Sequence, residues 1–564
     1  MDSINEYQNP EVFVKSITFN DGSTFEFNES DIVVFTGANN VGKTQVLRDI
    51  VQRLKSDEEI STPVINMLIG DFRGNIELFI KSAKQNENGL FWTGSGYNHG
   101  SNILFWWNSK KLPSGLSKSF INFLNTEQRL SSSNPPSSFD RRKDIPTHPI
   151  QILYSDDSKE IEISDYFRKA FGKDLIVDKC GGSVIPLFVG EKPTINHKNG
   201  EDRTSKSYLD RLDKLTPLKE QGDGMRSFVA TLLDTFTSNH TITLIDEPEA
   251  FLHPPQARLL GKMLAKNTPN KRQLFISTHS EDFLKGLIDA DNENVKIIRI
   301  NREGNINHMN ILNNDDIRIL WKDPILRHSN ILSGLFHSKV VLCESDTDCR
   351  FYQAIMNSLH DEESEISPDI LFAHCGGKQR LKTVITALKS LNVTLIVVAD
   401  IDILNDKTTF KDIADSLNIE WATLESKWNI INNYVKNQRA QLDTENVKTE
   451  IYKILDEVVA ILFPEIDIEK IKKILKNSTA WSKIKETGKN FFKGESYHKF
   501  NEINTICHTN GLFIVPVGEL ESFYRPNSSH GTKWVNEVLE QIDLRTDVEL
   551  RDAREFVEKI INYI

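Results

Sequence analysis

The stretch that decides the fold of the N-terminal half is residues 31–44, which read DIVVFTGANNVGKT. An apolar strand, 31–35, runs into a glycine loop that matches G-x-x-x-x-G-K-[ST], and a helical pattern begins at Lys43. Glycines let backbone N–H groups curl around phosphate oxygens, and the start of the helix adds a favourable dipole. This context predicts a nucleotide phosphate site. Its predicted contacts are Gly37, Asn40 and Gly42 in the loop, Lys43 to the β- and γ-phosphates, and Thr44 to Mg²⁺.

A second apolar strand, 241–245, ends in the adjacent carboxylates Asp246 and Glu247. In a phosphate-loop ATPase such a pair completes the site, because Asp246 would hold Mg²⁺ and Glu247 would polarise the attacking water. A solvated turn is the alternative. The phosphate loop weakens that alternative, since the loop requires such a partner. The sequence therefore predicts ATP as a cofactor.

Two further segments fit the same nucleotide site. Strand 273–277 is followed by Thr278 and His279, which places His279 where a γ-phosphate sensor would lie. Residues 221–227, QGDGMRS, form a glycine-rich turn that opens a helix shortly before the Asp-Glu strand. Gly222 and Gly224 are the candidate nucleotide contacts of this turn.

These motifs resemble those of the ABC-type ATPases, in the branch that includes SMC and RecF-like proteins. Residues 246–249, DEPE, followed by 252–254, LHP, look like the Walker B motif and D-loop of that family. The turn 222–227 looks like its signature motif, although the usual leading serine is absent. The resemblance implies a head-to-head dimer, with ATP held between the Lys43 loop of one subunit and the signature turn of the other.

Carboxylates follow three strands of the C-terminal half. They are Glu344, Asp346 and Asp348 after strand 339–343, Asp400 and Asp402 after strand 394–399, and Glu519 and Glu521 after strand 512–517. The carboxyl ends of strands in an α/β sheet share one edge, where active sites form. Clustered carboxylates repel unless cations separate them, and Mg²⁺ or Mn²⁺ bound to oxygen ligands could promote phosphodiester cleavage there. The alternative is that acidic residues are simply common after strands.

The order Glu344, Gly376-Gly377, Asp400-x-Asp402 resembles the TOPRIM domain of topoisomerases, primases and some nucleases, with Ser345 in place of the usual glycine. An ABC-type ATPase followed by TOPRIM is similar to the OLD (overcoming lysogenization defect) family of ATP-dependent nucleases. That family includes antiphage effectors such as the Gabija nuclease subunit and retron-associated nucleases.

The OLD resemblance also implies roles for individual residues. Glu344 would be catalytic as well as metal-binding, and Asp348, Asp400 and Asp402 would be metal ligands. Glu519 and Glu521 match the late acidic motif. Lys533 matches a late lysine that would stabilise negative charge on the scissile phosphate, and a solvated surface lysine is the alternative there.

The resemblances and the alternating strand and helix patterns together predict an α/β fold class with two domains. An ABC-type ATPase head is expected over 1–320, with 60–215 as an inserted or dimerisation region. A TOPRIM domain is expected over 335–564, with a helical insertion over 410–505.

Composition limits the class of protein. A chain of 564 residues is too long for a single core, and its net charge of −12 argues against indiscriminate DNA binding without excluding a DNA enzyme. No apolar run reaches the roughly 18–20 residues of a membrane helix, so no membrane association is expected and the cytoplasm is the simplest location.

The sequence thus predicts an ATP-regulated, divalent-metal-dependent DNA endonuclease that acts in antiphage defence as a homodimer or higher homo-oligomer. A second defence-system protein or a ribonucleoprotein is a further candidate partner. The alternative function is an ATP-switched DNA- or partner-binding module with an inactive TOPRIM domain. A topoisomerase is a weaker third hypothesis, because no DNA-gate domain is recognisable.

Overall fold

The computed structural model describes residues 9–55, 61–77, 80, 84–85, 91–92, 98–99, 102–144, 146–312, 330–360, 368–390, 392–438, 444–458, 462–476, 480–527 and 529–563. The chain forms two compact units, Met1–Arg318 and Ile319–Ile564. Among the described residues, no helix is both long and apolar enough to span a membrane.

The first unit combines strands and helices in an α/β arrangement. Its strands are β1 (Glu11–Phe19), β2 (Thr24–Glu26), β3 (Ile32–Thr36), β4 (Ile65–Arg73), β5 (Lys84–Gln85), β6 (Phe91–Trp92), β7 (Asn98–His99), β8 (Ile121–Leu124), β9 (Asp174–Val177), β10 (Leu187–Gly190), β11 (Thr216–Pro217), β12 (Ile242–Asp246), β13 (Gln273–Ser277), β14 (Val295–Glu303) and β15 (Ile306–Ile311). Its helices are α1 (Lys43–Lys55), α2 (Ile103–Asn108), α3 (Ser114–Ser117), α4 (Thr126–Ser132), α5 (Pro149–Ser155), α6 (Asp157–Phe171), α7 (Lys206–Leu212), α8 (Asp223–Phe236), α9 (Pro254–Asn267) and α10 (Glu281–Asp289).

A six-stranded sheet in the order β15-β14-β3-β13-β12-β8 is the centre of this unit. Every strand pair in it is parallel except β14 with β15. All residues of β3 and β13 are buried, as expected for strands with apolar side chains on both faces. Because the strands are parallel, the loops after β3, β12, β13 and β8 open at one edge.

The range 60–215, predicted as an inserted or dimerisation region, contains strands that pair with strands outside it. Strand β4 pairs antiparallel with β1, and β8 extends the central sheet beside β12. Both strands lie inside 60–215, so this range contributes structural parts of the ATPase unit. Strand β8 escaped prediction because it has only four residues, too few to show a period.

The second unit is also α/β. Its strands are β16 (Lys339–Cys343), β17 (Ile370–His374), β18 (Thr394–Ala399) and β19 (Leu512–Ile514). Its helices are α11 (Asp346–Leu359), α12 (Leu381–Ser390), α13 (Lys407–Ser416), α14 (Trp421–Asn437), α15 (Thr444–Glu457), α16 (Glu465–Lys476), α17 (Ala480–Thr487), α18 (Glu495–Thr509), α19 (Gly531–Gln541) and α20 (Arg551–Ile561).

Its four-stranded sheet has the order β17-β16-β18-β19, and all its pairs are parallel. The predicted third strand over 512–517 is shorter than expected: β19 ends at Ile514, and Pro516 lacks the N–H that a sheet ladder requires. The helices α13 to α18 lie in the sequence between β18 and β19, and they include the stretch 410–505. A buried core of side chains from the sheet and from α11, α19 and α20 supports the carboxyl edge of the sheet.

Candidate functional site

The phosphate loop turns tightly between β3 and α1. Gly37 and Gly42 have φ of 142° and 101°, and Asn40 also has positive φ. A Cβ on Gly37 would lie 2.3 Å from the Ile300 carbonyl oxygen, so glycine is required there. Lys43 Nζ donates to the carbonyls of Gly37, at 2.9 Å, and Ala38, at 2.8 Å. The loop therefore folds around its own lysine. Burial lowers the pKa of Lys43, and Glu247 is the largest influence in the opposite direction.

The two halves of the predicted Mg²⁺ site meet directly. Thr44 Oγ1 donates to Asp246 Oδ1 at 2.9 Å, although 202 positions separate the two residues. Ser277, at the end of β13, donates its hydroxyl to the same carboxylate oxygen. The hydroxyl and carboxylate oxygens grouped here suit a hard divalent ion. Ser277 was not predicted as a site residue, because no sequence pattern distinguishes it from serines at the ends of other strands.

Glu247 and His279, which the motifs predicted to be catalytic, are in direct contact. His279 Nδ1 lies 3.1 Å from Glu247 Oε1, and Glu247 has a positive φ of 49°, an unusual backbone conformation that aims its side chain. This hydrogen bond lowers the pKa of Glu247 and raises the pKa of His279. Buried Glu249 holds the loop by accepting from the Thr278 hydroxyl, at 2.7 Å, and from the His279 N–H, at 3.1 Å.

Arg129 is a site residue that the sequence did not reveal. Its side chain is fully buried just after β8, and it donates to the backbone carbonyls of Asp246 and Glu247. Its Nε also donates to Ser227 Oγ on α8 at 3.1 Å. One guanidinium thus joins the end of β12 to the helix that follows the glycine turn. Only the three-dimensional position of β8 places this arginine there.

The glycine turn lies at the start of α8. Gly222 precedes the helix with ordinary φ, and a Cβ added to it would meet nothing within 4 Å. Gly224 is packed differently, because its added Cβ would lie 2.6 Å from the carbonyl oxygen of Phe251. Arg226 ties the turn to α4 through the Leu130 carbonyl at 3.0 Å. Gly222 is therefore open to solvent, whereas Gly224 is fixed against the segment after the Asp-Glu pair.

In the second unit, the predicted carboxylates lie at the carboxyl edge of the parallel sheet. Glu344 follows β16, and its Oε1 is buried without a hydrogen-bond partner among the described residues. Burial, with a contribution from Asp402, raises the pKa of Glu344 to about 7. Burial and the neighbouring Glu344 also raise the pKa of Asp400. These are the electrostatics of carboxylates crowded together, which a divalent cation would relieve.

Asp348 has a structural role beside its predicted one. Ser345 caps α11, and both its N–H, at 2.8 Å, and its hydroxyl, at 2.9 Å, donate to Asp348 Oδ2. This capping box accounts for the serine found where TOPRIM sequences usually have glycine. The loop after β17 contains Gly376 and Gly377, and both have positive φ. The Gly377 N–H donates to the Glu344 carbonyl at 2.9 Å.

Two lysines that were not predicted contact the carboxylates. Lys378 Nζ lies 3.3 Å from Asp402 Oδ2. Lys485 Nζ lies 3.0 Å from Glu519 Oε2 and 3.6 Å from both Asp400 Oδ2 and Asp402 Oδ2. These three carboxylates outweigh the effect of burial and raise the pKa of Lys485. Lys378 follows the glycine pair and could have been suspected, but Lys485 carries no motif.

A histidine, His530, lies beside the late acidic motif. Ligand atoms of Glu519, Glu521 and His530 all lie within 4.8 Å of one another, and Glu521 Oε1 also accepts from the Gly531 N–H at 2.8 Å. Lys533 lies on the first turn of α19 with a side chain that is 75% exposed, and its Nζ is 3.8 Å from Glu537. Its predicted phosphate contact therefore lies on an exposed helix face, whereas Lys378 and Lys485 contact the carboxylates directly.

Two domain families match this chain. Residues 32–284 match the family described as "AAA domain, putative AbiEii toxin, Type IV TA system", a range that contains the phosphate loop and His279. Residues 335–402 match the family "Overcoming lysogenization defect protein-like, TOPRIM domain", a range that contains Glu344 and Asp402. The two matches thus give an ATPase domain followed by a TOPRIM domain like that of the OLD proteins.

One curated protein and several solved structures are similar to parts of the chain. Old nuclease of Escherichia phage P2 is 26% identical over 183 residues, which are 31% of this chain and 30% of that protein. An SmcHead bound to the C-winged helix domain of ScpA is 12% identical, covers 54% of this chain and 99% of its own, and gives a TM-score of 0.33. The SMC head domain from Thermotoga maritima is 10% identical, covers 54% and 98%, and gives a TM-score of 0.29.

The domain matches and the sheet topology establish the fold class that the sequence predicted. The chain is an α/β protein in which an ATPase head is followed by an OLD-type TOPRIM domain. These two domains imply the use of a nucleotide and of a divalent metal ion.

Proposed function

We propose that this chain is an ATP-regulated, divalent-metal-dependent DNA endonuclease of the OLD family. The observation that carries the proposal is the carboxylate cluster at one edge of a parallel sheet, with a buried Glu344 oxygen that lacks a donor among the described residues. A buried carboxylate oxygen without a partner is unfavourable, and a divalent cation bound to oxygen ligands would satisfy it.

Within this proposal, Glu344, Asp400, Asp402, Glu519 and Glu521 are the metal ligands, and Asp348 adds its second oxygen. A bound Mg²⁺ or Mn²⁺ supplies Lewis acidity toward the phosphodiester and its attacking water. Glu344 lies at the cluster as the catalytic carboxylate. Lys533 remains a candidate for the scissile phosphate, since an exposed lysine on the first turn of a helix can reach a substrate backbone.

The nucleotide half would act across two copies of the chain. Lys43, Thr44, Asp246, Glu247 and His279 bind and hydrolyse ATP on one subunit, and the turn at Gly222 and Gly224 would cover it from the other. The exposure of Gly222 supports the arrangement, because a signature turn must be accessible to a second subunit. Hydrolysis or binding of ATP in a homodimer would then regulate cleavage.

Plasmid cleavage with Mg²⁺ or Mn²⁺, with and without ATP, tests this function. Asp400→Asn should abolish nicking, because it removes a charge at the centre of the cluster. Asp415→Asn, an exposed acid on α13, is the matched control and should cut as wild type does. Lys43→Ala should change only the dependence on ATP. Full cleavage by Asp400→Asn would refute the assignment of the nuclease site.

One observation favours the second function, an ATP-switched binding module with an inactive TOPRIM domain. Lys378 and Lys485 already pair with the carboxylates, which could make the cluster a structural salt-bridge network. That function requires DNA or partner binding that survives Asp400→Asn and fails in Lys43→Ala. It also requires wild-type protein to leave plasmid uncut under every metal condition.

The biological setting is proposed on the resemblance to OLD-family effectors of the Gabija and retron-associated type. We place the protein in antiphage defence in the cytoplasm, where a second defence-system protein or a ribonucleoprotein could join it. Plaque assays on cells expressing wild type or Asp400→Asn test this setting. Equal plating of phage on both would count against it.

A further inference from the structure

A lysine from the long helical stretch between β18 and β19 enters the carboxylate cluster. Lys485 belongs to α17, and its Nζ contacts three of the proposed metal ligands, Asp400, Asp402 and Glu519, within 3.6 Å. The side chain is 32% exposed. Three strand-end carboxylates of the cluster therefore share the ammonium of Lys485.

The backbone of Lys485 is held beside the cluster by contacts to its carbonyl oxygen. The Lys485 carbonyl accepts from Ser522 Oγ at 3.0 Å, just after the late acidic pair. Gly518 packs so tightly against it that an added Cβ would lie 1.9 Å from the Lys485 oxygen. The Gly518 carbonyl in turn accepts from the Ile401 N–H at 2.9 Å, between the two aspartates. The segments that carry the carboxylates thus also hold the lysine, unlike a surface lysine that meets an acid by chance.

The charges in the cluster are distributed unevenly. On the side of Asp402 and Glu519, the carboxylates have ammonium partners from Lys485 and Lys378. On the side of Glu344, one buried oxygen has no hydrogen-bond partner among the described residues. The oxygen that lacks a partner therefore belongs to Glu344, next to Asp400, whose Oδ2 lies 3.6 Å from Lys485 Nζ.

We propose that Lys485 occupies one of the two cation positions of this site, so that the cluster takes a single divalent ion at Glu344 and Asp400. This inference rests on the proposed nuclease function. In two-ion phosphodiester sites one cation activates water and the other neutralises charge on the leaving side. An ammonium can fulfil the second role, because it needs only charge and hydrogen-bond donors. Lys485 would contact the phosphate on the leaving side, which makes it a catalytic residue in this scheme.

Metal stoichiometry tests the inference without measuring activity. Mn²⁺ binding is followed by titration calorimetry and by electron paramagnetic resonance on full-length protein without nucleotide, with Asp246→Asn in every variant to silence the ATPase site. Wild type should bind one ion per chain, and Lys485→Met should bind two, because the vacated carboxylates accept a second ion. Lys483→Met, an exposed lysine on the same helix, is the matched control and should bind one. Lys485→Arg keeps the charge and should also bind one.

Cleavage provides the second readout, in chains with intact Asp246. At low Mn²⁺, Lys485→Met should nick plasmid about 10²-fold more slowly than wild type, the usual loss for one electrostatic contact. Its rate should recover at high Mn²⁺ with a steeper dependence on metal. Gly518→Ala displaces the Lys485 backbone. It should change the Mn²⁺ stoichiometry and the cleavage rate in the same direction as Lys485→Met.

Three results would overturn the inference. The first is that wild type binds two Mn²⁺ ions, and the second is that a folded Lys485→Met variant binds one. The third is faster cleavage by Lys485→Met at low Mn²⁺, which would mean that the lysine obstructs the site. If Lys485→Met does not fold, two ions bound to Lys485→Arg would reject the inference and one would support it. If the stoichiometry changes as expected but no variant cuts DNA, the cation position stands and the nuclease function fails.

Discussion

Arg129 lies outside the motifs and holds the backbone of the Asp246-Glu247 pair. Its planar fork donates to the carbonyls of Asp246 and Glu247 and to Ser227, a geometry that the point charge of lysine cannot reproduce. We expect Arg129→Lys to bind ATP with little change in Kd but to lower the kcat of hydrolysis roughly 10- to 100-fold, because the carboxylates shift by a fraction of an ångström. Steady-state ATPase kinetics and nucleotide titration measure the two effects.

Arg211→Lys is the matched control for Arg129. Arg211 is a partly exposed arginine on α7 that pairs with Glu201 at 2.8 Å, and its replacement should leave kcat unchanged. A positioning role for Arg129 would be excluded if Arg129→Lys hydrolysed ATP at the wild-type rate, or if its loss appeared only in Kd.

In the proposed ATPase site, we expect Glu247 and His279 to set the pH dependence of hydrolysis. Their hydrogen bond lowers the pKa of Glu247, so the carboxylate persists to more acidic pH than it would alone. Replacing His279 by Gln removes the main cause of this shift, and the pKa of Glu247 should rise. The acid limb of the ATPase profile should therefore move to higher pH in His279→Gln. Rates measured across that limb check the direction, and a shift toward lower pH would contradict the assignment of Glu247 as the base.

Glu247→Gln isolates the chemical step from binding. The amide keeps the shape of the side chain but cannot take a proton from water, so hydrolysis should fall about 10²- to 10⁴-fold, the usual contribution of a general base. ATP should still bind, because Lys43 and Thr44 are untouched. Nucleotide titration beside single-turnover hydrolysis separates these outcomes, and rapid turnover would assign the base elsewhere.

At the scale of elements, helix α8 carries a carboxylate whose ionisation opposes folding. Asp234 is buried against β8, where Asn122 Nδ2 donates to it at 3.3 Å, and burial raises its pKa from 3.8 to about 6. The folded state therefore binds the proton more tightly than the unfolded state. Stability falls as pH rises from near 3.8 to near 6, and the loss persists above that range.

Asp234→Asn removes this penalty, because the amide stays neutral at every pH. We expect the variant to be more stable than wild type by about 1–3 kcal/mol at neutral pH, from about 1.4 kcal/mol per pKa unit, with no gain well below pH 4. Denaturant unfolding at both pH values measures it. Asp210→Asn, an exposed acid on α7, controls for general charge effects. An equal gain at both pH values would point to packing instead of ionisation.

What the sequence could predict differs between elements for physical reasons. The loop after β3 and the pairs Asp246-Glu247 and Asp400-x-Asp402 are local patterns, in which chemistry fixes residue types at fixed spacing. Strand β8 lacked such a signal, since it has four residues and takes its place only by pairing with β12. The position of Arg129, shortly after β8, therefore could not be predicted either. Lys485 was hidden for the same reason, because 83 positions separate it from Asp402 and only tertiary packing joins them.

At the scale of the whole molecule, the open turn at Gly222 predicts a composite ATP site. Gly222 has ordinary φ and free space around its Cα, so Gly222→Gln should fold normally on its own. A long side chain there would obstruct a second subunit that brings its phosphate loop to the turn. We expect Gly222→Gln to bind ATP but to lose ATP-dependent dimerisation and hydrolysis, as light scattering and ATPase assays would show. Lys219→Gln, an exposed change just before the turn, should behave as wild type.

Mixing two inactive variants decides whether the site is shared between subunits. Lys43→Ala lacks a working phosphate loop, and Gly222→Gln lacks a working turn. In a mixed dimer, the intact loop of the Gly222→Gln subunit faces the intact turn of the Lys43→Ala subunit, which rebuilds one complete site. ATPase activity should therefore reappear on mixing although each variant alone has none. Continued inactivity of a demonstrated mixed dimer would mean that each chain completes its own site, and the homodimer would lose its role in hydrolysis.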